Sequence, residues 1–163
     1  MPEKKTLERA ARDKREGKAP STQAGEFVKE EMEHIREGKH GARSTEQAIA
    51  IGLSKARRAG VDLPPPAKGS ARAATRRKAK GDYEAGHTAK KKASKTRARA
   101  VMRALKRESR AAASSKALAK HAKKAARQRS ASDRSAAARK AVRTKGPKER
   151  SAAARKAART RRT

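Results

Sequence analysis

One short segment, GKHGAR at residues 38–43, combines residue types that could bind a phosphate. Two glycines in a G-x-x-G loop allow a phosphate to approach the backbone closely, and Lys39 and Arg43 would supply positively charged donors. A simpler interpretation is that Gly38 ends one helix and Gly41 turns the chain towards the next. Both interpretations are open from the sequence, and the second needs no ligand.

Three side chains that can ligate a metal lie in or just before this loop. Glu30 and His34 are four residues apart on a predicted helix, and His40 follows soon after. Ligands dispersed in this way define no coordination geometry, and the chain contains no cysteine. We therefore predict no metal site and no cofactor.

Catalytic patterns are missing from the sequence as well. We find no nucleophile–base pair, no Walker loop and no pair of carboxylates in an apolar setting. We therefore predict that the protein is not an enzyme and has no small-molecule substrate.

Positive charge is the dominant property of the chain. Lysine and arginine account for 48 of the 163 residues, against 16 acidic residues, and the formal net charge is +32. Residues 1–66 hold 14 basic and 11 acidic residues, whereas residues 67–163 hold 34 basic and 5 acidic residues. Lysine and arginine bind nucleic acid by neutralising phosphates, so the second part of the chain is predicted to bind a polyanion.

An eleven-residue phrase occurs twice near the C-terminus, as RSAAARKAVRT at residues 134–144 and as RSAAARKAART at residues 150–160. A unit with so little apolar bulk cannot form a core of its own. Its duplication adds charge and length, and hence further phosphate contacts.

Phe27 and Tyr83 are the two aromatic residues of the Phe, Tyr and Trp class. Proteins that bind single strands or recognise RNA sequences usually stack bases on aromatic rings. The scarcity of such rings favours phosphate contacts, and the predicted partner is duplex DNA, bound without sequence preference. An RNA- or ribosome-associated protein is one alternative. Another is a helical module, residues 1–60, that docks a protein partner and is tethered to nucleic acid by the tail.

The predicted nucleic-acid contacts are basic residues of the loop, the third helix and the tail. They are Lys39, Arg43, Arg57, Arg58, Arg76, Arg77, Lys78, Lys90, Lys91, Lys92, Arg103, Lys106, Arg107, Lys123, Lys124, Arg139, Lys140, Arg143, Arg155, Lys156, Arg159, Arg161 and Arg162.

The predicted fold is mostly α. Three short helices form a small module at residues 1–60, and the second of them has an apolar stripe between Ala24 and Ile35. The third opens with Ser44 and Gln47, which have the spacing of a capping box.

Three consecutive prolines mark a linker at residues 61–70. Residues 71–163 then form a basic, low-complexity tail rich in alanine. Alanine favours helix, whereas repulsion between cations one turn apart opposes it. The tail is therefore predicted to be disordered or conditionally helical, and to gain helix when a polyanion neutralises it.

Neither membrane insertion nor export is expected. No apolar run reaches the 18 or so residues of a spanning helix, and the N-terminus lacks the apolar segment of a signal peptide. The expected location is the bacterial cytoplasm, at the nucleoid.

Residues 27–60 resemble a family of small uncharacterised bacterial proteins. The pattern consists of a Met-x-His helix (Met32 and His34), a basic loop containing glycine, and the octapeptide QAIAIGLS at residues 47–54. This resemblance implies DNA binding, without an established activity. The tail resembles the basic, alanine-rich tails of linker histones and bacterial histone-like proteins, which implies charge neutralisation and compaction of DNA. The chain lacks the winged-helix domain of linker histones, so nucleosome binding is not implied.

Overall fold

The structure, a computed structural model, describes residues 2–88, 94–144 and 146–162. Within these ranges every regular element is a helix and no strand occurs. The prediction of a mostly α fold is confirmed. No described helix is long and apolar enough to span a membrane.

The chain contains eight described α-helices and one short 3-10 helix, η1. In chain order they are α1 (Lys4–Arg15), α2 (Pro20–Arg36), α3 (Thr45–Arg58), α4 (Ala73–His87), α5 (Lys95–Lys106), η1 (Arg110–Ala113), α6 (Ser115–Gln128), α7 (Ala131–Thr144) and α8 (Pro147–Arg162). The chain folds as two compact units, an N-terminal unit, Met1–Ala119, and a C-terminal unit, Lys120–Thr163.

Local sequence signals determine where α2 ends and where α3 begins. Gly38 has a φ of +78°, a left-handed conformation that glycine adopts without strain, and it follows the end of α2. Ser44 caps α3, because its Oγ accepts a hydrogen bond from the Gln47 N–H at 3.2 Å. The Gln47 side chain in turn accepts a hydrogen bond from the Arg43 N–H at 2.8 Å, which fixes the chain just before the helix.

Two small apolar clusters hold the N-terminal unit together. One joins α1, α2, α3 and the chain after α3 through Ala10, Ala24, Phe27, Ala56 and Val61. The other joins α2, α3 and η1 through Met32, Ile35, Ala42, Ala48, Ala112 and Ala113. Burial of these apolar surfaces is the main force that stabilises the unit.

The segment around η1 packs into the N-terminal unit, although it falls within the predicted tail. Arg36 Nε donates to the Ala113 carbonyl at 3.0 Å, and Thr45 Oγ1 donates to the Ala112 carbonyl at 2.7 Å. Both alanines are buried, since their small side chains fit between α2 and α3. The compact unit therefore extends to Ala119, whereas the predicted module ends at residue 60.

The first half of the predicted 61–70 linker lies against α3. Arg57 donates from Nε to the Leu63 carbonyl at 3.1 Å and from Nη2 to the Pro64 carbonyl at 3.3 Å. Val61, the first residue of this segment, is buried. These contacts fix the path of the chain between α3 and α4.

The Tyr83 hydroxyl of α4 donates a hydrogen bond to Asp62, and this bond raises the pKa of Tyr83 above its ordinary value of 10.0. The substitution Asp62→Ala should lower that pKa towards its ordinary value, because the hydrogen bond to Asp62 is the largest cause of the shift. Tyr83 is the single tyrosine and the chain has no tryptophan, so tyrosinate absorbance between about pH 8 and 12 reports it directly.

The folded protein holds the Tyr83 proton more tightly than the unfolded chain does. The contribution of this bond to stability is therefore lost as the pH rises from about 10 through the folded pKa. Asp133→Ala is the matched control, since it removes one carboxylate from the other unit. An unchanged Tyr83 pKa in Asp62→Ala would contradict the assigned hydrogen bond.

The C-terminal unit comprises the end of α6 together with α7 and α8. Its described side chains at residues 126–143 and 146–160 are exposed, and no apolar cluster is found among them. Local helix propensity of alanine, lysine and arginine accounts for these helices. That their helicity depends on a polyanion stays a prediction.

Candidate nucleic-acid interface

The basic residues of α5 follow the periodicity of the helix. Lys95, Arg99, Arg103 and Lys106 are spaced i, i+4, i+8 and i+11, which places them on one face. All four are exposed, whereas Leu105, on a different face, is buried. We call these four residues the α5 stripe.

The α5 stripe is suited to phosphates. Four residues along a helix rise about 6 Å, close to the rise of about 6.8 Å over two phosphates of one DNA strand. The predicted contacts include Arg103 and Lys106, together with the exposed Arg107, and omit Lys95 and Arg99. The i, i+4, i+8 spacing is visible in the sequence. The predicted contacts omit it because they lie mainly where cations are adjacent in the sequence.

The part of α6 that belongs to the C-terminal unit has a similar arrangement. Lys120, Lys123, Lys124 and Arg127 are spaced i, i+3, i+4 and i+7, and all four are exposed. We call them the α6 stripe. Lys123 and Lys124 are predicted contacts, and the helix adds Lys120 and Arg127 to the same face.

The two copies of the repeat lie on α7 and α8. In each copy two arginines and a lysine, spaced i, i+1 and i+4, lie on one face, whereas the first arginine of the copy, Arg134 or Arg150, lies with alanines on the opposite face. The basic residues are Arg139, Lys140 and Arg143 in α7, and Arg155, Lys156 and Arg159 in α8. These six side chains are exposed. Arg161 and Arg162 lie in the last turn of α8.

Other predicted contacts are occupied within the protein. Arg57 is 7% exposed, its guanidinium is bonded to the Leu63 and Pro64 carbonyls, and burial lowers its pKa despite the opposing effect of Asp82. Arg57 therefore has a structural role and is not presented to a phosphate. Arg58 pairs with Asp82 at 3.4 Å, although its side chain is largely exposed.

Lys39 is also paired. Its Nζ lies 3.0 Å from Glu37 Oε2 and 3.1 Å from Glu3 Oε1, and these carboxylates raise its pKa. Arg43 is exposed beside the capped start of α3.

The predicted contacts on α4 are more exposed to solvent than Arg57. Arg77 and Lys78 are exposed, and Arg76 is half-buried. Lys90, Lys91 and Lys92 lie outside the described residues.

The G-x-x-G loop is covered by another part of the chain. The Gly41 N–H donates to the Leu105 carbonyl at 2.9 Å, and the Ala42 N–H donates to the Ser109 carbonyl at 3.1 Å. A Cβ on Gly41 would lie 1.9 Å from the Glu108 carbonyl oxygen, so only glycine fits. The glycines therefore serve a helix end and a close packing contact, and the loop interior is not open to a phosphate backbone.

Neither aromatic residue is available to stack on a base. Phe27 is 1% exposed in the core. The Tyr83 ring is half-buried and stacks on His87, with ring centroids 4.2 Å apart. The accessible chemistry of the described surface is therefore cationic.

A compact group of potential metal ligands forms where α2 meets the 38–43 loop. The structure brings His34 and His40 to Glu31, and not to Glu30 as the i, i+4 spacing suggests. One ligand atom from each of the three lies within 4.8 Å of the others.

Residues 4–68 match a family described as "Family of unknown function (DUF6496)". This confirms the similarity to an uncharacterised family, and the match spans α1 to α3 and the proline segment. No curated protein and no solved structure gives a significant match to the chain.

Proposed function

We propose that the protein binds duplex DNA without sequence preference, as a histone-like, nucleoid-associated protein that neutralises phosphates. The observation that supports this most is the arrangement of cations into helix faces. The α5 stripe, the α6 stripe and the basic faces of α7 and α8 each present exposed lysines and arginines at helical spacing. Such faces can follow a phosphate backbone, and contacts to phosphates carry no information about the base sequence.

Charge asymmetry supports the same proposal. Beyond residue 84 the chain holds 28 basic residues and three acidic ones, Glu108, Asp133 and Glu149. Far fewer cations would suffice for solubility. A long run of excess cations releases many counterions on binding, which is the source of non-specific affinity for DNA.

Structured RNA is the main competing ligand, because its phosphates attract the same cations. The two aromatic residues bear on this choice, since one is buried and the other is held by Asp62 and His87. Stacking on splayed bases, the usual means of recognising RNA, is not available. Competition between a DNA duplex and a structured RNA of equal length should favour the duplex.

The repeat gives the sharpest test of phosphate binding. Deletion of residues 147–163 removes seven cations and one carboxylate. Each phosphate contact contributes about 0.9 to the slope of log K against log salt. If only some of the seven cations contact phosphates, the slope should become shallower by about 2–5 units. The loss should be equal on AT-rich and GC-rich duplexes, because phosphate contacts hold no base information.

A scrambled segment of the same composition is the control for this deletion. It should restore binding when the new order keeps the cations on one helix face, because the proposal depends on the number of cations and on their helical arrangement, and not on the exact phrase. A scramble that fails, or a deletion that weakens one sequence selectively, would show that the repeat recognises a specific site.

A further inference from the structure

We propose that Glu31, His34 and His40 form a binding site for one zinc-class divalent ion, which fastens the 38–43 loop to α2. The proposal does not depend on DNA binding. It rests on the burial of Glu31, on the hydrogen bonds that fix the two imidazoles, and on an excess of negative charge around them.

The first observation is that Glu31 is buried without hydrogen bonds. Its side chain is 1% exposed, and neither oxygen receives a hydrogen bond of acceptable geometry from a described residue. Lys55 Nζ lies 2.6 Å from Oε2 and His40 Nε2 lies 3.2 Å from Oε1. Both contacts are therefore within ion-pair distance, but neither has the geometry of a hydrogen bond. A buried carboxylate in this condition needs a further cationic partner.

The tautomer of His40 gives the second observation. His40 Nδ1 lies 3.0 Å from the Gly41 carbonyl, which can only accept, so Nδ1 holds the proton. In the neutral ring Nε2 then has a bare lone pair directed at Glu31 Oε1, and two acceptors face each other. A metal ion between them would use both lone pairs, and the Gly41 carbonyl would orient the ring as carbonyls do in metal sites.

His34 is held in a comparable way. Its Nε2 lies 2.8 Å from Glu3 Oε1. A carboxylate behind a metal-binding imidazole fixes its orientation and increases its basicity. Glu3 is therefore a positioning residue for His34.

Charge balance also favours a divalent cation. Glu30 and Glu31 are both buried, and they share one lysine, Lys55, at 3.4 and 2.6 Å. Glu3, whose backbone N–H donates to Glu30, adds a third carboxylate, and the lysine that contacts it, Lys39, is shared with Glu37. One divalent ion would bring the group to neutrality.

The donor set and spacing select the metal. Two imidazoles and a carboxylate are a common zinc ligand set, and a tetrahedral site with bonds near 2.1 Å separates its ligand atoms by about 3.4 Å. The Glu31–His40 contact, at 3.2 Å, already has this separation, and the 4.8 Å limit on the group requires only a side-chain adjustment at His34.

The test uses the full chain, stripped with a chelator and titrated with ZnCl₂ and, separately, with Co²⁺. One equivalent of zinc should bind with a Kd of about 1 µM or tighter, and Co²⁺ should give the visible absorption of a tetrahedral site. Saturating zinc should raise the Tm by about 5–10 °C. No binding by the full chain, or binding without a change in Tm, overturns the proposal.

Variants assign the ligands. His40→Gln and Glu31→Gln should weaken zinc binding at least about a hundredfold, and Glu3→Gln about tenfold. His34→Gln is the safeguard should the two buried variants fail to fold, because the His34 ring is partly exposed. The double variant His87→Ala/His121→Ala removes the remaining histidines and should bind zinc normally. Zinc binding that survives His34→Gln, or that is lost in the double variant, overturns the assignment.

Discussion

Removal of residues 120–163 is expected to weaken binding to duplex DNA by at least about a hundredfold at roughly 0.15 M salt. The segment holds 17 basic and 2 acidic residues and includes the α6 stripe and both copies of the repeat. If about half of its cations engage phosphates, the slope of log K against log salt becomes shallower by about 7 units.

The truncation is informative because the N-terminal unit, Met1–Ala119, has its own apolar clusters. Circular dichroism and the Tyr83 titration would confirm that this unit remains folded in the truncated chain. Equal affinity of the truncated and full chains would refute the assignment of binding to the C-terminal unit.

The second large effect is expected from the α5 stripe. The triple variant Lys95→Gln/Arg99→Gln/Arg103→Gln should lower duplex affinity by about ten- to a hundredfold at physiological salt, because three phosphate contacts are lost. Glutamine keeps a high helix propensity, so α5 itself should persist.

The chain offers a matched control for net charge. Lys4, Arg12 and Lys80 each lie within 4 Å of a carboxylate on their own helix or at its end, those of Glu8, Glu16 and Glu84. Replacing these three by glutamine removes the same charge from cations that already have partners. This control should lose less than about threefold in affinity, and an equal loss in both variants would mean that net charge alone governs binding.

The sequence predicts well wherever structure depends on near neighbours. The helix end at Gly38 and the cap at Ser44 follow from residues within one turn, and both occur as expected. The basic helix faces follow from periodicity alone, although the full α5 and α6 stripes become clear only when the helix bounds are known.

Long-range packing cannot be predicted in the same way. Ala112 and Ala113 look like tail residues in sequence, and they are buried because their small size fits the groove between α2 and α3. No local pattern distinguishes them from the exposed alanines of α7. No local pattern in the sequence therefore marks Ala119 as the end of the compact N-terminal unit.

The pair of buried glutamates illustrates the same limit. Both Glu30 and Glu31 lie one turn before His34 on α2, and spacing alone favours Glu30. In the folded chain, Glu30 accepts a hydrogen bond from the Glu3 N–H at 3.1 Å, which leaves Glu31 to face the two histidines. The choice depends on a residue 27 positions away.

A salt titration of duplex binding tests the central claim most directly, measured side by side for the full chain, the α5-stripe variant and its paired-cation control. Phosphate binding by helix faces predicts linear plots of log K against log salt. The slope for the α5-stripe variant should be shallower than that for the full chain by about 2–3 units, and the slope for the control should be shallower by less than about 1 unit. AT-rich and GC-rich duplexes should give the same lines. A slope near zero for the full chain, or identical slopes for the two variants, would contradict the claim.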